Sequence, residues 1–176
     1  FKISFFFFLI FQTKLIAANP SDFVQSAVNK TSEILKQNIS KEEKMKKIEL
    51  IAEEVVDIKG IAFYSLGAHR KSLSDEKKDE YFKVFKKYFL KSFSSRLAQY
   101  SDPKIQVGEQ KKLNEKYTIV SSVLLATEKT PEVKMDWRII TKNIDKPLII
   151  DVVIEGVSLA RVQREEFNSI IQNKNI

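Results

Sequence analysis

His69 is the only histidine and the chain contains no cysteine, so a nucleophilic site of the Ser-His-Asp or Cys-His kind would have to be built on His69. Its neighbours Arg70 and Lys71 point instead to an exposed turn. Neither an H-E-x-x-H zinc pattern nor a G-x-x-x-x-G-K-[ST] phosphate loop occurs, and only four glycines are available to cradle a phosphate. ATP chemistry and thiolate metal ligation are therefore not encoded. The paired acids Glu42 and Glu43, Glu53 and Glu54, and Glu165 and Glu166 fall in helical stretches, where adjacent side chains do not face each other. They read as solvated surface. Asp136, next to Trp137, and Asp151 are the acids that could act as a buried general base; a structural ion pair with Arg138, Arg161 or Arg164 is the plainer reading. No catalytic residue, metal site or cofactor is expected.

The elements around these residues divide the chain into a helical half and a strand half. Phe23, Ala27, Thr31, Ile34 and Leu35 keep one helical face, and Ser40-Lys41-Glu42-Glu43 is a capping-box pattern opening a second helix with Met45, Ile48, Ile51, Ala52 and Val55 on one side. Gly60 is expected to interrupt that helix, and Ile61 to Leu66 to form a short further one ending at Gly67. Ser74, followed by Asp75 and Glu76, can cap a long helix reaching about Tyr100. At about 100° per residue, Phe82, Phe85, Phe89, Phe93, Leu97 and Tyr100 share roughly a third of its circumference. Tyr81, Val84 and Tyr88 add a second apolar strip.

After Pro103 the period changes to two. Four antiparallel strands are predicted, Ile105 to Glu109, Tyr117 to Thr127, Val133 to Thr141 and Leu148 to Glu155, joined by short polar loops. Val133, Met135, Trp137 and Ile139 alternate with Lys134, Asp136 and Arg138, while Ile150, Val152 and Ile154 alternate with Asp151 and Glu155, so each strand has an apolar and a charged face. Gly156 ends the last strand, and Ser158 can begin a terminal helix. The fold class is α+β: N-terminal helices and a C-terminal helix packed on a curved four-stranded antiparallel sheet.

Residues 1–18 combine Lys2, an apolar run from Ile3 to Phe11, and Ala17 and Ala18 before Asn19-Pro20-Ser21. This is the pattern of a secretory signal peptide. Gln12, Thr13 and Lys14 break the run before it reaches the ~20 apolar residues of a membrane span. Residues 19–176 then form one domain. The net charge is +7, and removing Lys2 and Lys14 leaves 28 basic against 23 acidic residues, a net +5. Such a surface suits phosphate groups on lipid or nucleic acid; export favours lipid.

Three blocks near the C-terminus occur in a recognisable order and spacing: Met135-Asp136-Trp137-Arg138-Ile139, then Asp151-Val152-Val153-Ile154-Glu155-Gly156-Val157-Ser158-Leu159, then Gln163-Arg164-Glu165-Glu166-Phe167. Upstream, Leu66-Gly67 before a charged helix, Phe85 with Tyr88, and Phe93-Ser94-Ser95-Arg96-Leu97-Ala98-Gln99-Tyr100 extend the pattern. In this combination the chain resembles the MlaC family, the periplasmic phospholipid-binding component of the Mla transport system, over nearly everything after Pro20. One departure follows Leu66-Gly67, where the family often has an aromatic residue, typically tryptophan, and this chain has Ala68-His69-Arg70.

Read from its residues alone, the Phe82 to Tyr100 stripe is ordinary core. The resemblance implies more: an apolar cavity between helices and sheet that holds phospholipid acyl chains, walled by Phe82, Phe85, Phe89, Phe93, Leu97, Met135, Trp137, Ile139, Ile150, Val152 and Ile154. Arg96 and Arg138 are then candidate head-group contacts. The implied activity is a periplasmic shuttle, acting as a monomer between an outer-membrane Mla lipoprotein complex and an inner-membrane Mla ABC transporter. Physically, each buried methylene contributes about 0.8 kcal/mol, so two chains totalling some 30 carbons resist water by roughly 24 kcal/mol. Two other readings stand beside it: a small α+β isomerase or hydrolase using Asp136 or Asp151, and a lipid-free periplasmic adaptor with a solid core.

Overall fold

The computed structural model describes residues 19–128 and 130–173; the expected leader lies outside them. The chain runs through α1 (Pro20–Lys36), α2 (Lys41–Val55), α3 (Ile58–Ser65), a 3-10 turn (Gly67–Lys71) and α4 (Asp75–Leu97), then β1 (Ile105–Asn114), β2 (Tyr117–Leu124), β3 (Val133–Ile140), β4 (Leu148–Ile154), β5 (Val157–Ser158) and α5 (Leu159–Asn173). The strands lie in sequence order in one antiparallel sheet. The α+β architecture is the one predicted, with one strand more than expected.

Local chemistry accounts for the helix starts. Asn19 caps α1 by accepting from the Ser21 N–H at 3.1 Å, and Pro20 opens the first turn. In the capping box of α2, Ser40 Oγ accepts from the Glu43 N–H at 3.2 Å and Glu43 Oε2 accepts from the Ser40 N–H at 3.0 Å. Ser74 caps α4, accepting from the Lys77 N–H. At the far end of α4 the Gln99 and Tyr100 N–H groups turn back to carbonyls three residues earlier. That tightening ends the regular helix at Leu97 rather than Tyr100.

The break between α2 and α3 falls before Gly60. Val56 bridges to Ile149 in parallel, the Asp57 N–H donates to the Ile149 carbonyl at 2.9 Å, and the Asp57 side chain then accepts from the Gly60 N–H at 2.9 Å. A Cβ on Gly60 would collide with the capping carboxylate of Asp57. Gly60 thus admits the cap of α3 rather than breaking α2. Gly67, at φ +56°, ends α3 as expected of a left-handed C-terminal glycine.

Three strand readings change: β2 ends at Leu124 rather than Thr127, and β1 and β5 differ more. β1 continues through Asn114 because a tight turn at Glu115 and Lys116 closes the hairpin, with Asn114 Oδ1 accepting from the Lys116 and Tyr117 N–H groups at 2.9 and 3.1 Å. Its outer half is exposed throughout, so no alternation betrays it. β5 pairs back on β4 through Glu155 at φ 48° and Gly156 at φ 81°, the left-handed pair that a two-residue hairpin requires.

The interior has two apolar clusters. One joins Ala27, Ala52, Ile58, Ile61, Phe85, Leu90 and Ile149 from helices and β4; the other joins Val24 and Val28 of α1 to Val120 and Ile139 of the sheet. Phe23 and Trp137 pack against both.

Candidate functional site

The aromatic row of α4 follows the predicted helical period. Phe85 is 2% exposed at the centre of the larger cluster, and Phe82, Phe89 and Phe93 pack against that cluster while only half-buried. The Phe85 and Phe89 rings stack with centroids 6.1 Å apart, and Phe89 and Phe93 continue the stack at 5.7 Å and 7°. Leu97 is half-buried at the helix end. From the sheet, Trp137 and Val152 are partners in register and both reach the same cluster. Met135 and Ile154 pair at the next inward position, both half-buried. Ile139 belongs to the second cluster, where it is fully buried. Between Arg138 and Ile139 the register shifts, so that Ile139 faces Ile149 while Ile150 is skipped. Ile149, at 5% exposed, takes the inward position expected of Ile150.

Where the expected cavity would lie, Phe85 and Ile139 are sealed, and α4 packs chiefly on α2 and α3. Two clefts open to solvent on the surface, and of the expected wall residues only Phe82 borders either of these two. Of the expected wall residues Phe85 and Ile139 are core, while Phe82, Phe89, Phe93, Leu97, Met135, Trp137, Ile150, Val152 and Ile154 stay half-buried. Residues not foreseen as walls are Phe23, Ile149 and Phe167. Phe167 sets its ring edge-on to Phe85 at 5.8 Å; its place in the Gln163 to Phe167 block was the available signal.

The charged face of the sheet resolves the candidate acids. Asp151 is 7% exposed and accepts from Arg138 Nη1 at 3.3 Å, Ser158 Oγ at 2.6 Å and the Ala160 N–H at 3.0 Å. It ties β3, β5 and the start of α5 together, and all its contacts serve structure. Asp136 is exposed on the same face, away from any apolar pocket. Arg138 therefore points away from Trp137 and is committed to Asp151; Arg96 is exposed at the last turn of α4. Tyr81, half-buried, packs against the larger cluster. Desolvation raises its pKa above the ordinary 10.0, opposed by its 2.7 Å hydrogen bond with Ser65. Among the described residues no group of three His, Asp or Glu side chains could hold a metal, and no helix is long and apolar enough to cross a membrane.

An antiparallel meander packed against helices, with a row of half-buried rings on α4 and apolar strand residues reaching the same cluster, defines an α+β protein with an extended apolar interior. The chain belongs to the MlaC family: residues 25–176 match the family described as MlaC protein. It is also similar in fold to a solved phospholipid-binding protein from Ralstonia solanacearum, whose structure holds a phospholipid. That likeness has a TM-score of 0.75 at 15% identity and covers 90% of each chain.

Proposed function

We propose that this chain is a periplasmic phospholipid carrier that moves lipid between membranes without making or breaking a bond. The observation that carries the reading is the stacked Phe85, Phe89 and Phe93 row: its inner ring is sealed, but the outer two stay half-buried against the cluster that Trp137 and Val152 also reach. Membership of the MlaC family and the phospholipid held by the structural relative support it. Acyl chains would enter by parting the seam where Phe23 and Trp137 join the two clusters, replacing ring-to-ring contacts with ring-to-methylene contacts of similar kind. By family, the exchange partners are the outer-membrane Mla lipoprotein complex and the inner-membrane Mla ABC transporter. Export depends on residues 1–18.

Native mass spectrometry of the mature protein from bacterial periplasm, followed by extraction and fragmentation of bound lipid, tests the proposal. A stoichiometric phospholipid adduct is expected. Protein that is lipid-free and stays so after incubation with phospholipid vesicles overturns it.

A further inference from the structure

At the junction of α3, the 3-10 turn, α4 and α5 lies an open cleft of about 490 Å³, lined by Phe63, Tyr64, Gly67, Arg70, Lys71, Lys78 and Arg164. It shares no lining residue with the acyl face. Its lining carries four cationic side chains and no acid. Among the described residues, ion pairs are formed by Lys78, to Asp75 at 3.0 Å, but by none of Arg70, Lys71 and Arg164. Instead, the Arg70 guanidinium lies over the Phe63 ring at 4.9 Å and that of Arg164 over the Tyr64 ring at 5.0 Å. Stacking holds a guanidinium through its face and leaves the in-plane N–H fork for an acceptor.

The backbone supports the same arrangement. Gly67 adopts φ +56°, and a Cβ there would stand 3.3 Å from Arg164 Nε and 3.0 Å from Asn168 Oδ1. The glycine therefore lets α5 bring Arg164 against the turn that carries Arg70.

We infer that this cleft binds a phosphate group, held by the guanidinium forks of Arg70 and Arg164 with Lys71 and Lys78 at its rim. Two aromatic-backed arginines in one concavity suit a small tetrahedral oxyanion, which takes paired N–H donors, better than an extended acidic polypeptide. The phosphate can be a free ion or part of a lipid head group. The inference concerns a site apart from the acyl face and does not depend on the carrier reading.

The test is an NMR titration of the uniformly ¹⁵N-labelled full mature chain with sodium phosphate, against sodium chloride at matched ionic strength. Saturable shifts at the Arg70 and Arg164 side chains and the Gly67 amide, absent with chloride, are expected. Arg70→Gln should weaken binding about tenfold, the worth of a lost charged hydrogen bond. Lys71→Gln, at an exposed position, provides a second variant should Arg70→Gln fold poorly, and should weaken binding by a smaller factor. Repeating the titration with sn-glycero-3-phosphate and with a glycerophosphodiester assigns the source: tighter binding of the diester points to a lipid head group, and tighter inorganic phosphate to the free ion. Shifts reproduced by chloride, or phosphate shifts unchanged by both substitutions, overturn the inference. So does binding confined to acidic peptides.

Discussion

The indole Nε1 of Trp137 donates to Ser122 Oγ at 2.7 Å, across the β2–β3 pair and beneath the apolar surface. Ser122 is 3% exposed, so the bond sets the ring that joins the two core clusters without calling on water. Ser122→Ala leaves a partly buried N–H unpaired, which costs about 1–3 kcal/mol. Thermal unfolding of the variant should show a fall of several degrees with an unchanged far-UV spectrum. No loss of melting temperature would mean that the bond contributes little.

Asp151 should matter for folding. Three donors from three elements converge on its carboxylate, and its side chain is 6% exposed against 45% for Arg138. Asp151→Ala leaves the Ser158 hydroxyl and the Ala160 N–H of the first turn of α5 without their acceptor, at about 1–3 kcal/mol for each part-buried donor. Arg138→Ala should cost less, since its head is half in water and Asp151 keeps two donors. Urea unfolding of the two variants checks the order, and an Arg138 loss equal to the Asp151 loss would contradict it.

Much of this fold is legible in the sequence because its local signals agree with its global pattern. Ser40 and Glu43, Ser74 and Asp75, and the alternation from Val133 to Ile139 each specify an element that forms where expected. Where reading failed, the decisive partner was remote or the residue was polar on both faces. Gly60 looks like a breaker until the Asp57 carboxylate is seen against it. The outer half of β1 offers no apolar period because nothing covers it, and β5 has only two residues. The apolar faces were legible as a helical stripe and as strand alternation, but Ile150 was displaced by a register shift no single strand encodes. That Arg138 serves Asp151 follows from the pairing of β3 with β4.

The acid limb of stability should depend on Glu43. The Ser40 N–H and hydroxyl hold its carboxyl below the ordinary 4.5, so the folded chain prefers the ionised form. A depressed carboxylate contributes stability that is complete above the unfolded value and lost as pH falls through the folded one. Glu43→Gln keeps an acceptor for the capping box but removes the titration. The melting temperatures of wild type and Glu43→Gln should therefore differ most near neutrality and converge as the pH falls well below 4.5. A constant difference across that range would deny Glu43 this role.

Phe85 and Phe93 are on one face of α4, yet their substitutions should separate stability from lipid retention. Phe85 is sealed among Tyr81, Phe89 and Phe167, and Phe85→Ala should cost about 3–5 kcal/mol through lost burial and the cavity left behind. Phe93 is half-buried at the outer end of the stack. There Phe93→Asp keeps its carboxylate near water and costs the fold less, while placing a charge on the surface proposed to meet acyl chains. A charge beside methylenes must be desolvated when lipid binds. Phe93→Asp should consequently fold, with a melting temperature closer to wild type than that of Phe85→Ala, and carry far less phospholipid in native mass spectra. Full retention of lipid by folded Phe93→Asp would remove this end of the row from the acyl face and leave its rings as packing alone.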